Sequence, residues 1–324
     1  RTDFPGTAVE PGLEAQAAYH LSRGFLGVGV ADVQRLAGFF GHDGVDEVSG
    51  DAVAGALRVQ LGRHVLALGD QPEVVAEDAG MALDLAVRQV EAGADFLDVC
   101  AGTSPEKEVE TLLWLMEIVQ DAVDKPLCID SPNAKAIERV FGHARQPGII
   151  NSVSGEGDKC EIIYPLIQGT PWQVIALTCD DRGIPSDVPS RVGIAKMLVE
   201  KAAQYNITPD RIHVDPLVMA LSTDNQSLLK FVETLKAVKD LFPGIKVTSG
   251  LSNISFGMPL RKIVNRTFFN IAIYAGMDSA IMDPLNRDML ATLLATEALM
   301  GRDRYCRKFN DAFRKNKIGP LKVK

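Results

Sequence analysis

The sequence predicts an α/β chain folded as a (β/α)8 TIM barrel with an N-terminal extension. Three observations carry that expectation. From about residue 57, short apolar runs of strand length alternate with longer stretches of helical period. There are eight such runs, and the span from 57 to 310 fits the roughly 250 residues typical of a closed barrel. An open doubly wound sheet would carry the same alternation, but its glycine-rich fingerprint G-x-G-x-x-G is missing after the first run.

In order, the predicted strands are 57–61 (LRVQL), 95–99 (DFLDV), 126–130 (PLCID), 148–151 (GIIN), 173–178 (QVIALT), 211–215 (RIHVD), 245–250 (IKVTSG) and 279–283 (SAIMD). The intervening stretches 77–93, 108–123, 194–206, 227–242 and 266–276 place apolar residues three and four apart, as a helix packed on a sheet requires. Residues 1–56 stand apart as an extension of no assigned role, and 57–324 form the barrel domain. Composition shifts as well: Lys, Ile and Asn are absent from the first 106 residues and common afterwards. That pattern reads as a different coding history for the extension.

The 324 residues are 46% hydrophobic and 23% charged, with a formal charge of −8. Such an acidic balance excludes a nucleic-acid binder, which needs clustered Lys and Arg against phosphates. No apolar run reaches the ~18 residues of a membrane span, and the opening RTDFPGTAVE lacks the pattern of a signal peptide. Five scattered cysteines, with no C-x-x-C and no histidine at zinc spacing, fit a reducing, cytoplasmic setting rather than a disulfide framework or structural zinc. Residues 302–324 hold nine basic and two acidic residues, expected as a solvated helix and tail.

In a barrel the C-terminal strand ends build the site. Here they are polar: Asp98, Asp130, Asn151, Thr178, Asp215, the Ser252–Asn253 pair and Asp283. Any one of them could be a helix or turn cap. Together they predict a ring of acceptors and donors above an apolar floor, suited to a flat heterocycle edged with N–H groups. Anionic ligands would be repelled, and a divalent metal would want histidine or closer carboxylates, so no metal is expected.

The segments LDVCAG (97–102), CIDSPN (128–133), IINSVSGE (149–156), HVDPLV (213–218) and GLSNISFG (250–257), in that order, resemble the pterin-binding methyltransferases. Most similar are the methyltetrahydrofolate:corrinoid methyltransferases of acetogenic carbon fixation and of demethylation. The resemblance spans about 57–313, and 78–99 keeps the family's spacing between first crossover helix and second strand.

It implies that Asp130, Asn151 and Asp215 hydrogen-bond the pterin ring, with Asp98 in the same pocket and Ser252 as a further contact. Asn253 matches the asparagine that reaches N5, the nitrogen bearing the methyl group. The implied co-substrates are tetrahydrofolate or methyltetrahydrofolate and a corrinoid (cobalamin) held by a partner protein, since no D-x-H-x-x-G motif occurs. A homodimer is implied too. One departure stands out: the aligned first turn reads QLGRHVLALGD (60–70), with Arg63 where the family has glutamate.

Dihydropteroate synthase shares the barrel, but it would want a lysine shortly after the strand-seven serine and a late Arg-x-His. Here those places read SNISFG and SAIMDP. The same barrel also suits an inactive pterin binder or a metal-dependent lyase.

Overall fold

The computed structural model describes residues 65–66 and 79–321. Strands and helices alternate along the chain: β1 (Val65–Leu66), α1 (Ala79–Ala92), β2 (Leu97–Cys100), α2 (Glu108–Ala122), β3 (Leu127–Asp130), α3 (Ala134–Phe141), β4 (Ile149–Gly155), α4 (Lys159–Ile167), β5 (Gln173–Asp180), α5 (Val188–Ala203), β6 (Ile212–Asp215), α6 (Ser227–Leu241), β7 (Lys246–Val247), α7 (Arg261–Ala275), β8 (Ala280–Ile281) and α8 (Arg287–Leu299). A short α9 (Arg307–Arg314) follows.

All strand pairs are parallel, and β2 to β7 lie in sequential order. β8 pairs with β1 and joins β7 through the Ile281 N–H, which donates to the Ser249 carbonyl at 3.0 Å. β1 in turn contacts β2, so the order closes on itself as a barrel.

The alternation of side chains explains why one phase of these runs is apolar. Leu97, Val99, Leu127, Ile129, Ile150, Val174, Ala176, Ile212, Val214 and Val247 share one phase of the ladder and are at most 1% exposed. They pack on helix stripes such as Leu112, Leu115, Met116 and Val119 of α2 and Phe231, Leu235 and Val238 of α6. Helices begin where side chains satisfy their first N–H groups: Asn133 caps α3, Asp187 caps α5 and Asn286 caps α8.

Four expectations change. The predicted run 57–61 lies outside the described residues, and the strand that pairs with β8 is Val65–Leu66. In sequence, Gly69 and Asp70 rather than Gly62 and Arg63 then follow the first strand. β4 continues past Asn151 to Gly155 with two register shifts, and the Asn151–Ser152 peptide is cis. Strand-seven pairing stops at Val247, after which Leu251–Ser255 forms a 3-10 turn.

The floor of the barrel is also not uniformly apolar. His213 of β6 bonds Ser279 through Nδ1 and Gln173 through Nε2, both at 2.9 Å, and Lys246 donates to the same Gln173 oxygen at 2.6 Å. A bond from β6 to β8 that skips β7 runs through the barrel interior. The groups satisfy one another, which is what makes a polar layer tolerable there. Burial holds the Lys246 ammonium below its usual range against the opposing pull of Asp210 and Asp278.

The basic C-terminal stretch forms a helix and tail whose charged side chains are mostly exposed, anchored by a few inward contacts. Ile318 and Ala312 pack with Leu290 and Leu294 of α8, and Lys317 donates to the Glu91 carbonyl at 2.8 Å.

β3 and β4 approach closely at Gly148, where a Cβ would lie 2.0 Å from the Leu127 carbonyl oxygen. Gly148→Ala is therefore expected to lower unfolding free energy by about 1–3 kcal/mol, measured by urea titration. An unchanged midpoint would show that the strands can part there without cost.

Candidate active site

The register places the polar strand ends on one inner face. Cys100 pairs with Asp130 and Asp130 with Asn151, so these three side chains point the same way on neighbouring strands. Asp98 lies two residues earlier on β2, in the same phase and one step deeper. Asp215 ends β6 opposite Leu177. Asp98, Asn151 and Asp215 are 2%, 1% and 7% exposed, while Asp130 is half-buried.

Local contacts hold the ends of β3, β4 and β6. The Asp215 carboxylate accepts the Leu217 N–H at 2.8 Å, and its carbonyl accepts the Thr178 hydroxyl at 3.2 Å. Leu217 has a φ of 60°, so the chain turns sharply immediately beyond the carboxylate. Next to Asp130, the Ser131 N–H donates to the Asn151 carbonyl at 3.0 Å, tying β3 to β4 beyond the last pair.

Two charged side chains that sequence reasoning missed lock this arrangement. Glu108, in the first turn of α2, accepts the Ser131 hydroxyl at 2.6 Å, and Ser131 Oγ in turn accepts the Asn133 N–H at 3.0 Å. Arg191, in the first turn of α5, is wholly buried. It donates to the carbonyls of Pro185 (2.9 Å), Pro216 (3.1 Å) and Leu217 (2.9 Å), clamping the loop that carries Asp215. Burial pulls its guanidinium below the usual arginine range, and the carboxylates of Asp224, Asp215 and Asp187 oppose that.

The two final predicted residues sit in the turn after β7. The Asn253 amide nitrogen lies 3.5 Å from where a Gly250 Cβ would be, so the amide folds back over the end of the strand. Arg261 donates to the Ser252 carbonyl and to Ser255 Oγ, both at 3.1 Å, and Leu221 N–H donates to the Ile254 carbonyl. Asp283 follows β8 in phase with Ile281, the residue bridged to Gly250. Burial raises its carboxyl above the usual range, against the Leu285 N–H it accepts and the charge of Arg88.

The inner face thus offers carboxylates, two amides and hydroxyls, while the cations nearby are engaged elsewhere, Lys246 with Gln173 in the floor and Arg191 with the carbonyls of the Asp215 loop. Among the described residues no group of three or more His, Cys, Asp or Glu side chains could hold a metal.

The model of the family described as pterin binding enzyme matches residues 72–283. The chain belongs to the pterin-binding enzyme family.

It is 50% identical over 250 residues to the methylcorrinoid:tetrahydrofolate methyltransferase of Eubacterium limosum, covering 76% of this chain and 92% of that one. It is 29% identical over 236 residues to the methionine synthase of Mycobacterium tuberculosis, matching 68% of this chain but only 20% of that much longer protein. Among solved structures, a dihydropteroate synthase of Yersinia pestis superposes with a TM-score of 0.53 at 18% identity, over 69% of this chain and 90% of that one. The enzyme from Coxiella burnetii gives 0.51 at 17%, over 69% and 86%. These likenesses show the shared pterin-enzyme barrel.

Arg191→Met is expected to lower unfolding free energy by about 2–4 kcal/mol, because it orphans the buried Pro216 and Leu217 carbonyls. Denaturant titration measures this, and a loss under 0.5 kcal/mol, on the order of a surface substitution, would show that the clamp is not needed to hold the Asp215 loop.

Proposed function

We propose that this chain transfers a methyl group between the cobalt of a corrinoid, carried on a separate protein, and N5 of tetrahydrofolate. The observation that carries the reading is the 50% identity, over 92% of its length, to a methylcorrinoid:tetrahydrofolate methyltransferase. In that relative's name the methyl group leaves the corrinoid for the folate, and we take the same direction here. The dihydropteroate synthase likeness is one of fold alone, and the turn after β7 reads SNISFG, without the lysine that chemistry wants shortly after the serine.

The chemistry suits the side chains present. Asp98, Asp130 and Asp215 accept from the ring N–H and amino groups of the pterin, and Asn151 both donates and accepts. Ser252 lies beside them at the rim. Asn253 donates to N5, whose electron density changes as the N–C bond forms or breaks. An amide does this without having to ionise. In the forward direction the N5 lone pair attacks the methyl carbon, and the cobalt–carbon electron pair stays on cobalt, which leaves as cobalt(I). The proton on N5 is released to solvent. In reverse, N5 regains a proton as the methyl group departs to cobalt(I).

The corrinoid protein docks over the barrel mouth, where the turn holding Asn253 is rigidly tied by Arg261. A homodimer in the cytoplasm completes the reading. Its support is the family resemblance together with five cysteines that form no disulfide. No helix among the described residues is long and apolar enough to cross a membrane.

The test mixes protein, methyltetrahydrofolate and cobalt(I) cobalamin without oxygen and follows loss of the cobalt(I) absorption. Protein-dependent conversion to methyl-cobalt(III) is expected. Asn253→Ala should slow it roughly 100-fold, with folate affinity by calorimetry changed far less. Folate binding without turnover, even with a cognate corrinoid protein, would instead make the chain an inactive pterin binder.

A further inference from the structure

Immediately after β7 comes one side chain that neither the fold nor the proposed chemistry employs. Lys246 reaches inward to Gln173, so with the period of two Thr248 occupies the same inner phase. β6 and β7 pair at His213–Lys246 and Val214–Val247, and the Thr248 N–H donates to the Val214 carbonyl at 2.9 Å. That bond carries the phase one residue past the last pair, so Thr248 follows Lys246 on the side of the sheet where Asp215 follows His213.

Thr248 is 0% exposed, and its hydroxyl has no hydrogen-bond partner among the described residues. The layer beneath gives it none, because Gln173, His213, Lys246 and Ser279 are occupied with one another. A hydroxyl orphaned in a sealed interior is costly, whereas a valine of the same shape would carry no such cost. Ser249 also has an unpartnered hydroxyl, but it falls in the opposite phase, toward the helix layer.

The composition of the pocket says what such a hydroxyl would meet. Ionised carboxylates only accept, and they dominate the ring. A pterin edge carries a carbonyl oxygen and ring nitrogens that need donors as well as N–H groups that need acceptors. Donors left for a ring acceptor on this face include the Asn151 amide, the Asn253 amide and the Thr248 hydroxyl, whereas the Thr178 hydroxyl and Lys246 are already engaged.

We propose that Thr248 is a further pterin-binding residue, its buried hydroxyl donating to an acceptor atom of the ring beside the group bound by Asp215. This rests on the pterin-binding reading above. Ligand binding then satisfies an atom that the empty barrel leaves orphaned, and the pocket discriminates against ring systems lacking an acceptor at that place.

The test is calorimetry with tetrahydrofolate on Thr248→Val and Thr248→Ser, with thermal unfolding of each free protein. Thr248→Val is expected to raise Kd about tenfold, the worth of one hydrogen bond. Its melting temperature should stay level or rise. Thr248→Ser, which keeps the hydroxyl, should bind within about threefold of the parent. Parent-like binding by Thr248→Val would overturn the assignment. So would a lowered melting temperature in the free Thr248→Val protein, which would assign the hydroxyl to folding instead. A parent protein that binds no folate at all would overturn the underlying reading rather than this residue's part in it.

Discussion

The in-phase parallel register running from β2 to β7 is the constraint on which the site depends. Parallel strands alternate side chains between two faces, so one step of slippage in any strand would send its polar terminus into the helix layer. Cys100, Asp130 and Asn151 share one rung, and Leu177 with Asp215 shares another, because no pair from β2 to β4 or from β5 to β7 slips. Where the register does shift, within β4, it does so beyond Asn151 and leaves that residue on the inner face. The same register puts Leu97, Val99, Ile129 and Val214 outward, where the helices cover them. Core and pocket are thus two faces of one pattern, and neither can change alone.

A second device holds the pocket once the strands have aligned. A helix that follows a strand begins beside the barrel mouth, so its first turn lies close to the site. In α2 and α5 that turn carries a charged residue on the otherwise apolar stripe: Glu108 ahead of Leu112, Leu115 and Met116, and Arg191 ahead of Ile194, Ala195 and Leu198. Each reaches a strand-end segment on a neighbouring unit, Glu108 to Ser131 and Arg191 to Pro216 and Leu217. A buried charge is tolerable only when fully bonded, and here the bonding partners are the backbone and hydroxyl groups that set the acceptor ring.

Much of this was legible in the sequence because it follows from periodicity and strand position. β2, β3, β5, β6 and β8 start and end within two residues of their expected limits, and all five expected helices form. The polar strand ends Asp130 and Asn151 pair on neighbouring strands, and Asp215 ends β6 in the same phase. The first strand was not legible in the same way. LRVQL and the later HVLAL are both apolar runs of strand length, and only pairing with Ala280 and Ile281 separates them. Glu108 and Arg191 left a readable trace, a charge at the i−4 or i−3 position of an apolar stripe, but such residues usually snorkel to solvent. The polar floor was hidden for another reason. Gln173, His213 and Lys246 come from three strands and Ser279 from the residue before a fourth, and only closure of the barrel brings them within hydrogen-bond distance.

The central claim is that tetrahydrofolate occupies the inner face at the C-terminal strand ends. Amide hydrogen exchange with and without saturating tetrahydrofolate tests it most directly. Slower exchange is expected at Ser131, at Leu217 and through the 251–256 turn, with α9 unchanged. Protection confined to α9 and the helical exterior, or no protection at a saturating concentration, would contradict the account.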